Sequence, residues 1–367
     1  MISGNAKTAV NARDAAIDAF LDRYGLGGAE QRPLPGDAST RSYRRLIRPG
    51  QAPLMLMNAP PVEATPCPAK ATPAERIELG YNAMARLAAS RVDAFAACAN
   101  FLRAQGLSAP EVVAFDADLG LAVTEDLGDA LFARQIEQGV DPQPLYEAAI
   151  DALIGLHRVT PPSTLDHNWP LLSYDDLALR TGADLLLEWW PKFDPMVSID
   201  AAVAADWEAI WSPVRKRAEA KASVFTHRDY HAENLIWLPE RSGAARVGMI
   251  DFQDAVLAHP AWDLLSLLQD ARRDVDPALE ALCLDRYLAA FPDMDPVAFR
   301  ADYAFLAVLN ASRILGLFAK LIIRDGKPRY EAFMPRMWGY IVRNLETPGL
   351  EDLRDWFEAV VPDRVGA

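Results

Sequence analysis

Three polar residues in two nearby motifs have the types and spacing needed for phosphoryl transfer. Residues 227–234 read His-Arg-Asp-Tyr-His-Ala-Glu-Asn, and Ile-Asp-Phe follows at 250–252. Asp229 would take the proton of an acceptor hydroxyl, while Asn234 and Asp251 would supply oxygen ligands to Mg²⁺ beside bound ATP. Asp and Asn also cap turns. The second aspartate, Asp251, lies at the end of an apolar run. Its presence favours phosphoryl transfer over turn capping as the role of these residues.

A second candidate region is the small, hydroxyl-rich segment 36–44. Gly36, Ser39 and Thr40 would form a loop whose backbone N–H groups and hydroxyls cover phosphates. Arg41 and Arg44 follow, and a guanidinium can pair with phosphate through two hydrogen bonds. One glycine with Ser and Thr also describes many hairpins, and surface arginines are an equal alternative.

The elements around these motifs predict an α+β chain with two lobes. A helix at 12–25 precedes a small antiparallel sheet, and the polar turn at 125–129 marks the boundary between lobes at 1–126 and 127–367. Segment 62–91 is expected to be an insertion within the first lobe. The first lobe has expected strands 43–47, 54–57, 111–115 and 121–124, and helices 77–89 and 92–105. The second has expected helices 145–159, 174–190, 199–222, 263–271, 277–291, 296–323 and 330–344, and short strands 223–226, 235–238 and 247–251.

Composition restricts the class of protein. The chain has 367 residues, 51% of them hydrophobic, which is enough for two lobes with a large core. A net charge of −14 argues against nucleic-acid binding. The apolar stretch 307–323 is interrupted by polar residues and is too short to cross a bilayer. No export signal is evident and the three cysteines are scattered, so we expect a cytoplasmic protein, and a monomer, with reduced thiols.

From about residue 34 to 344 the chain resembles the aminoglycoside phosphotransferase-like kinases, which are relatives of the protein kinases. The resemblance implies a protein-kinase-like fold that uses ATP and Mg²⁺. It implies that Asp229 is the catalytic base, that Asn234 and Asp251 are the metal ligands, and that the backbone of Glu125 and Leu127, in the hinge 124–127, holds adenine.

Within that family, four segments resemble the bacterial cell-wall amino-sugar kinases: 36–44, 58–61, 125–129 and 313–318. These kinases phosphorylate the anomeric hydroxyl of N-acetylmuramate and N-acetylglucosamine in peptidoglycan recycling. The resemblance implies the same reaction here, with the preference between the two sugars left open. A kinase for aminoglycosides or other small alcohols is one alternative, and a non-catalytic nucleotide-binding module is another.

The chain departs from the kinase pattern where phosphates are usually held. The strand at 54–58 has no lysine, and the helix at 92–105 has no glutamate to pair with one. We therefore expect Arg41 or Arg44, or more remotely Lys70, to hold the phosphates.

The acceptor pocket is expected in the helical lobe. There the resemblance places Glu188, Trp189 and Arg313, because tryptophan faces stack on sugars and arginine can pair with a sugar carboxylate. Core packing of the tryptophan and a structural ion pair of the arginine are the alternatives.

Overall fold

The computed structural model describes residues 2–35, 41–61 and 66–365, with side chains from residue 12 onward. Its first element is helix α1 (Ile2–Arg23), which is longer than expected. Ile17, Phe20 and Leu21 are fully buried against the outer face of the sheet that follows. Their spacing of three and four residues puts them on one face of the helix.

The smaller lobe is built on a five-stranded antiparallel sheet. Its strands have the order β1-β2-β3-β5-β4. In chain order the elements are β1 (Glu30–Pro33), β2 (Ser42–Ile47), β3 (Leu54–Asn58), α2 (Pro73–Leu79), α3 (Tyr81–Met84), α4 (Val92–Ala104), β4 (Val112–Asp116) and β5 (Leu121–Glu125). The four expected strands are present, and β1 was missed because its polar sequence has no alternating pattern. The expectation of one helix at 77–89 is wrong. Gly80 adopts a φ of 91°, which ends α2 and starts α3.

The larger lobe is mainly helical. Its elements are α5 (Phe132–Glu137), α6 (Pro142–His157), α7 (Asp176–Ala183), α8 (Leu185–Phe193), α9 (Ala201–Ala220), β6 (Val224–Thr226), β7 (Leu235–Trp237), β8 (Val247–Met249), β9 (Val256–Ala258), α10 (Ala261–Leu268), α11 (Pro277–Ala289), α12 (Pro296–Ile323), α13 (Met334–Leu345), α14 (Glu351–Val360) and α15 (Pro362–Val365). β6 pairs with β9 and β7 with β8. The helix expected at 174–190 is two helices, which meet at Asp184.

Helix α12 is the central helix of this lobe. It is long and apolar enough to cross a membrane by composition, but 61% of its most apolar 18 residues are buried inside the protein. At Gly316 it lies so close to α8 that an added Cβ would be 2.4 Å from the Leu185 carbonyl oxygen. A Cβ at Gly182 would likewise be 2.9 Å from Cδ of Arg313. Gly182 contacts Arg313 and, three residues later in both segments, Leu185 contacts Gly316. α12 therefore runs parallel to α7 and α8.

Candidate active site

The loop between β6 and β7, here called the catalytic loop (227–234), is held by a buried carboxylate behind it. Asp263 on α10 accepts hydrogen bonds from the backbone N–H groups of His227 (2.7 Å) and Arg228 (2.8 Å). Burial raises the pKa of Asp263 to about 7, against the effect of these two donors. Arg228 has a φ of 81°, an uncommon conformation for a residue with a side chain. The backbone entering the loop is therefore fixed before any ligand binds.

Asp229 has the charge state that a general base requires. Burial alone would raise its pKa, but the positive charge of Arg313, with smaller effects of His231 and Arg228, holds the pKa below its ordinary value. The carboxylate is therefore ionised at neutral pH. The neighbouring His227 is buried, and burial lowers its pKa to about 4, so it is neutral at that pH. Asp229 is thus the better candidate for proton abstraction.

Asn234 and Asp251 lie together at the mouth of the loop. The amide nitrogen of Asn234 donates to the Asp229 carbonyl (2.9 Å), which leaves its amide oxygen available to a ligand. The backbone N–H of Ile250 donates to the Asn234 carbonyl (3.1 Å), and so links the two motifs. Asp251 follows β8 with a φ of 66°.

The donor set of this site fits Mg²⁺. Among the described residues, no group of three or more His, Cys, Asp or Glu side chains is arranged around a metal position. Mg²⁺ at a nucleotide site takes one or two protein oxygens and completes its shell with phosphates and water. The amide oxygen of Asn234 and the carboxylate of Asp251 meet that need.

A cleft of about 970 Å³ opens in front of Asp229, Asn234 and Asp251, and is large enough for a nucleotide. Leu127 lines its apolar end, and the Leu127 N–H donates to no group among the described residues. The N–H of Glu125 already donates to the Glu111 carbonyl (2.7 Å), and its side chain pairs with Arg241 (2.7 Å). Apolar side chains from both lobes complete this end: Met55, Met57, Phe95, Leu131, Ile236 and Ile250.

The positions where a kinase lysine and glutamate would be expected carry packed apolar groups instead. Met55 and Met57 of β3 face the cleft. Phe95 of α4 stacks on Phe252, with ring centroids 4.7 Å apart. α4 is thus held to the metal-binding segment by aromatic packing rather than by an ion pair.

The two arginines proposed for phosphate binding, Arg41 directly before β2 and Arg44 within it, point to opposite faces of the sheet. Arg41 lines the cleft and pairs with Asp251, with Nη1 2.8 Å from Oδ1. The expectation for Arg44 is wrong, because it points to the other face and pairs with Asp14 (2.7 Å) on α1. Side chains alternate along a strand, so residues three apart cannot share a face. Lys70 is exposed, and Gly36, Ser39 and Thr40 lie outside the described residues.

Three helical residues were expected to contact the acceptor, and the structure brings one of them to the base. Arg313 is close enough to lower the pKa of Asp229, and its Nε donates to Asn310 (3.0 Å). The described residues supply no acceptor for either of its Nη atoms. Trp189 lies partly buried on α8, and Glu188 pairs with Lys192 at 3.6 Å on the exposed side.

Two further residues near this part of α12, Tyr81 and Lys320, were not predicted from the sequence. Lys320 lies over the ring of Tyr81, with Nζ 5.0 Å from the centroid. Lys320 could have been found, because a residue seven positions after Arg313 lies on the same helix face. Tyr81 gives no local signal, since its position depends on how the segment 66–91 crosses the larger lobe.

Comparison with known proteins agrees with this geometry. The chain matches the phosphotransferase enzyme family over residues 30–300. It is 59% identical to the N-acetylmuramate/N-acetylglucosamine kinase of Caulobacter vibrioides, over 95% of this chain and 97% of that protein. A kinase of the same name from Pseudomonas aeruginosa is 28% identical, over 85% of this chain and 83% of that protein.

The solved structure of the amicoumacin kinase hAmiN, bound to AMP-PNP, Ca²⁺ and Ami, has a similar fold. Its TM-score is 0.55 at 14% identity, over 91% of this chain and 95% of that one. The expected protein-kinase-like architecture is confirmed, as is the resemblance to aminoglycoside phosphotransferase-like and amino-sugar kinases. The chain therefore belongs to the phosphotransferase enzyme family.

Proposed function

We propose that this enzyme transfers the γ-phosphoryl group of ATP to the anomeric hydroxyl of N-acetylmuramate, N-acetylglucosamine or both. The choice of substrate rests on the 59% identity to the Caulobacter kinase of that name, which extends over nearly the whole chain. The reaction rests on one structural observation: an ionised, partly buried Asp229 beside two oxygen donors and a nucleotide-sized cleft. A role in peptidoglycan recycling in the cytoplasm, as a monomer, follows from the same proposal.

The chemical step needs one base and good positioning. Asp229 accepts the proton of the C1 hydroxyl as that oxygen bonds to the γ-phosphorus. The bond from the γ-phosphorus to the β,γ-bridging oxygen breaks, and ADP leaves. An anomeric hydroxyl is more acidic than an ordinary alcohol, so a carboxylate with a low pKa is an adequate base. Mg²⁺, held by Asn234 and Asp251, would neutralise phosphate charge.

Arg41 is proposed as the group that holds the phosphates in place of the missing lysine. It lies directly before β2, lines the cleft and contacts Asp251. Burial alone would lower the pKa of this guanidinium, but Asp251, Tyr43 and Asp254 together raise it, so Arg41 stays protonated. The carbonyl of Glu125 and the N–H of Leu127 are proposed to bind adenine at a lobe boundary between residues 126 and 127.

A sugar panel tests this function. Purified enzyme with Mg-ATP should release ADP with N-acetylmuramate or N-acetylglucosamine, and much more slowly with an aminoglycoside. Turnover of the aminoglycoside alone would favour the antibiotic-kinase alternative. ADP release that is unchanged in Asp229→Asn would contradict the proposed base. ATP binding without turnover of any acceptor by the wild type would instead favour the non-catalytic nucleotide-binding module.

A further inference from the structure

The segment 66–91 is tied to the larger lobe by buried charge. Arg76 is 1% exposed and pairs with Asp175 on the approach to α7. It also donates to the carbonyls of Ala83 (3.1 Å) and Met84 (2.6 Å). Arg86 pairs with the same Asp175 carboxylate (2.6 Å). One carboxylate thus joins both ends of the α2–α3 hairpin to the larger lobe.

This anchoring holds an aromatic residue at the surface. Tyr81 follows the turn at Gly80 and keeps 38% of its surface exposed. The ring of Tyr81 is held in place by the buried ion pairs of its neighbours, although it is not part of the hydrophobic core. The same segment contacts the catalytic loop, since Arg228 donates to the Arg86 carbonyl (3.3 Å). Tyr81 is therefore fixed relative to Asp229.

The opposite side of this space comes from α8 and α12. Their close contact at Gly316 brings Trp189 beside Lys320, whose Nζ is 5.8 Å from the indole ring and 5.0 Å from the ring of Tyr81. The Trp189 indole N–H is buried and has no acceptor among the described residues. Two aromatic rings thus lie beside one ammonium group.

The charge of Lys320 has no carboxylate partner at ion-pair distance among the described residues. Lys192, which lies over the same indole at 4.0 Å, differs because its ammonium pairs with Glu188. Arg313 and Lys320 are seven residues apart on one face of α12, or about 10 Å along the axis. Arg313 acts on Asp229, and Lys320 lies about two helical turns farther along the same face of α12.

We propose that Lys320, Tyr81 and Trp189 form an outer acceptor subsite that binds a carboxylate carried by the sugar away from its reacting hydroxyl. The inference rests on the proposed function and adds a basis for choosing between its two sugars, because only N-acetylmuramate carries a lactyl carboxylate. Lys320 binds the carboxylate, and the two aromatic rings contact the sugar and its ether substituent. Arg313 stays with the groups near Asp229.

The test compares kcat/KM for both sugars in wild type, Lys320→Met and the matched control Lys192→Met. Losing one charge-assisted hydrogen bond should lower kcat/KM for N-acetylmuramate about tenfold in Lys320→Met and leave N-acetylglucosamine nearly unchanged. Lys192→Met should match wild type, and Lys320→Arg should restore much of the loss. Tyr81→Ala should raise KM for both sugars without a matching loss in kcat.

The outcomes distinguish a failure of the outer subsite from a failure of the proposed function. An unchanged ratio between the sugars in Lys320→Met, with an active wild type, overturns the outer subsite and leaves the proposed function standing. Equal losses with both sugars in a folded Lys320→Met variant also overturn it. Absence of wild-type turnover with either sugar overturns the proposed function, and this subsite with it.

Discussion

The catalytic loop and the acceptor side of the site are held in different ways. The loop is fixed by short hydrogen bonds to its backbone: Asp263 of α10 accepts from two of its N–H groups, and Asn234 donates to one of its carbonyls. On the acceptor side, Arg313 and Lys320 are placed by helix packing, and neither has a carboxylate at ion-pair distance among the described residues. The first arrangement suits chemistry that is common to every acceptor, and the second leaves donors for a particular acceptor. Changes in the loop should therefore affect all sugars equally.

The largest expected effect is that of Asp229→Asn, which removes the base and keeps the shape of the side chain. We expect kcat to fall by roughly 10²–10⁴ with either sugar, while affinity for ATP and the unfolding midpoint change little. Steady-state kinetics and nucleotide binding measure this. Asp118→Asn, on an exposed turn, removes the same charge as a control. A loss confined to one sugar would contradict the division between loop and acceptor side.

Substitution of Arg41 and of Arg44 gives a second, matched comparison, because the two side chains point to opposite faces of the sheet. Arg41→Ala should raise KM for ATP by roughly ten- to a hundredfold, the value of one charge-assisted hydrogen bond, with both sugars alike. Arg44→Ala should leave that KM unchanged, because its partner is Asp14 on α1. Equal KM values for ATP in the two variants would mean that Arg41 does not hold phosphate.

Gly316→Ala should disturb the acceptor side without touching the loop. The new Cβ would overlap the Leu185 backbone, and such overpacking costs about 1–3 kcal/mol of unfolding free energy. KM for the sugar should rise while KM for ATP stays the same. In the control Gly339→Ala the new Cβ meets no atom within 4 Å, so the helix should be unaffected or slightly stabilised. Urea unfolding and kinetics of both variants decide the matter.

Asp263 should give a pH dependence of stability rather than a change in catalysis. Its folded pKa of about 7 lies above that of an unfolded aspartate, so between pH 4 and 7 the folded state binds the additional proton. Stability from this group therefore falls as pH rises, by at most about 1.4 kcal/mol per pH unit. The difference in unfolding free energy between wild type and Asp263→Asn should show this slope. Parallel curves would contradict it.

The loop could be predicted from the sequence because its function is local. Asp229 and Asn234 are five residues apart, and short strands bracket them. Which of Arg41 and Arg44 points into the cleft could not be decided until the register of β2 was known. Tyr81 and Lys320 are brought together by the Arg76 ion pair and the α8–α12 packing, which are long-range contacts. Local pattern carries no information about such contacts.

Phosphorus NMR of the product tests most directly which hydroxyl of the sugar receives the phosphoryl group. After reaction of N-acetylglucosamine with Mg-ATP, the phosphorus signal should couple to the anomeric proton, as in a sugar 1-phosphate. Stability in mild acid, which cleaves a sugar 1-phosphate, and coupling to the C6 protons would instead identify a 6-phosphate. That result, or any phosphate on a hydroxyl other than C1, would contradict the account.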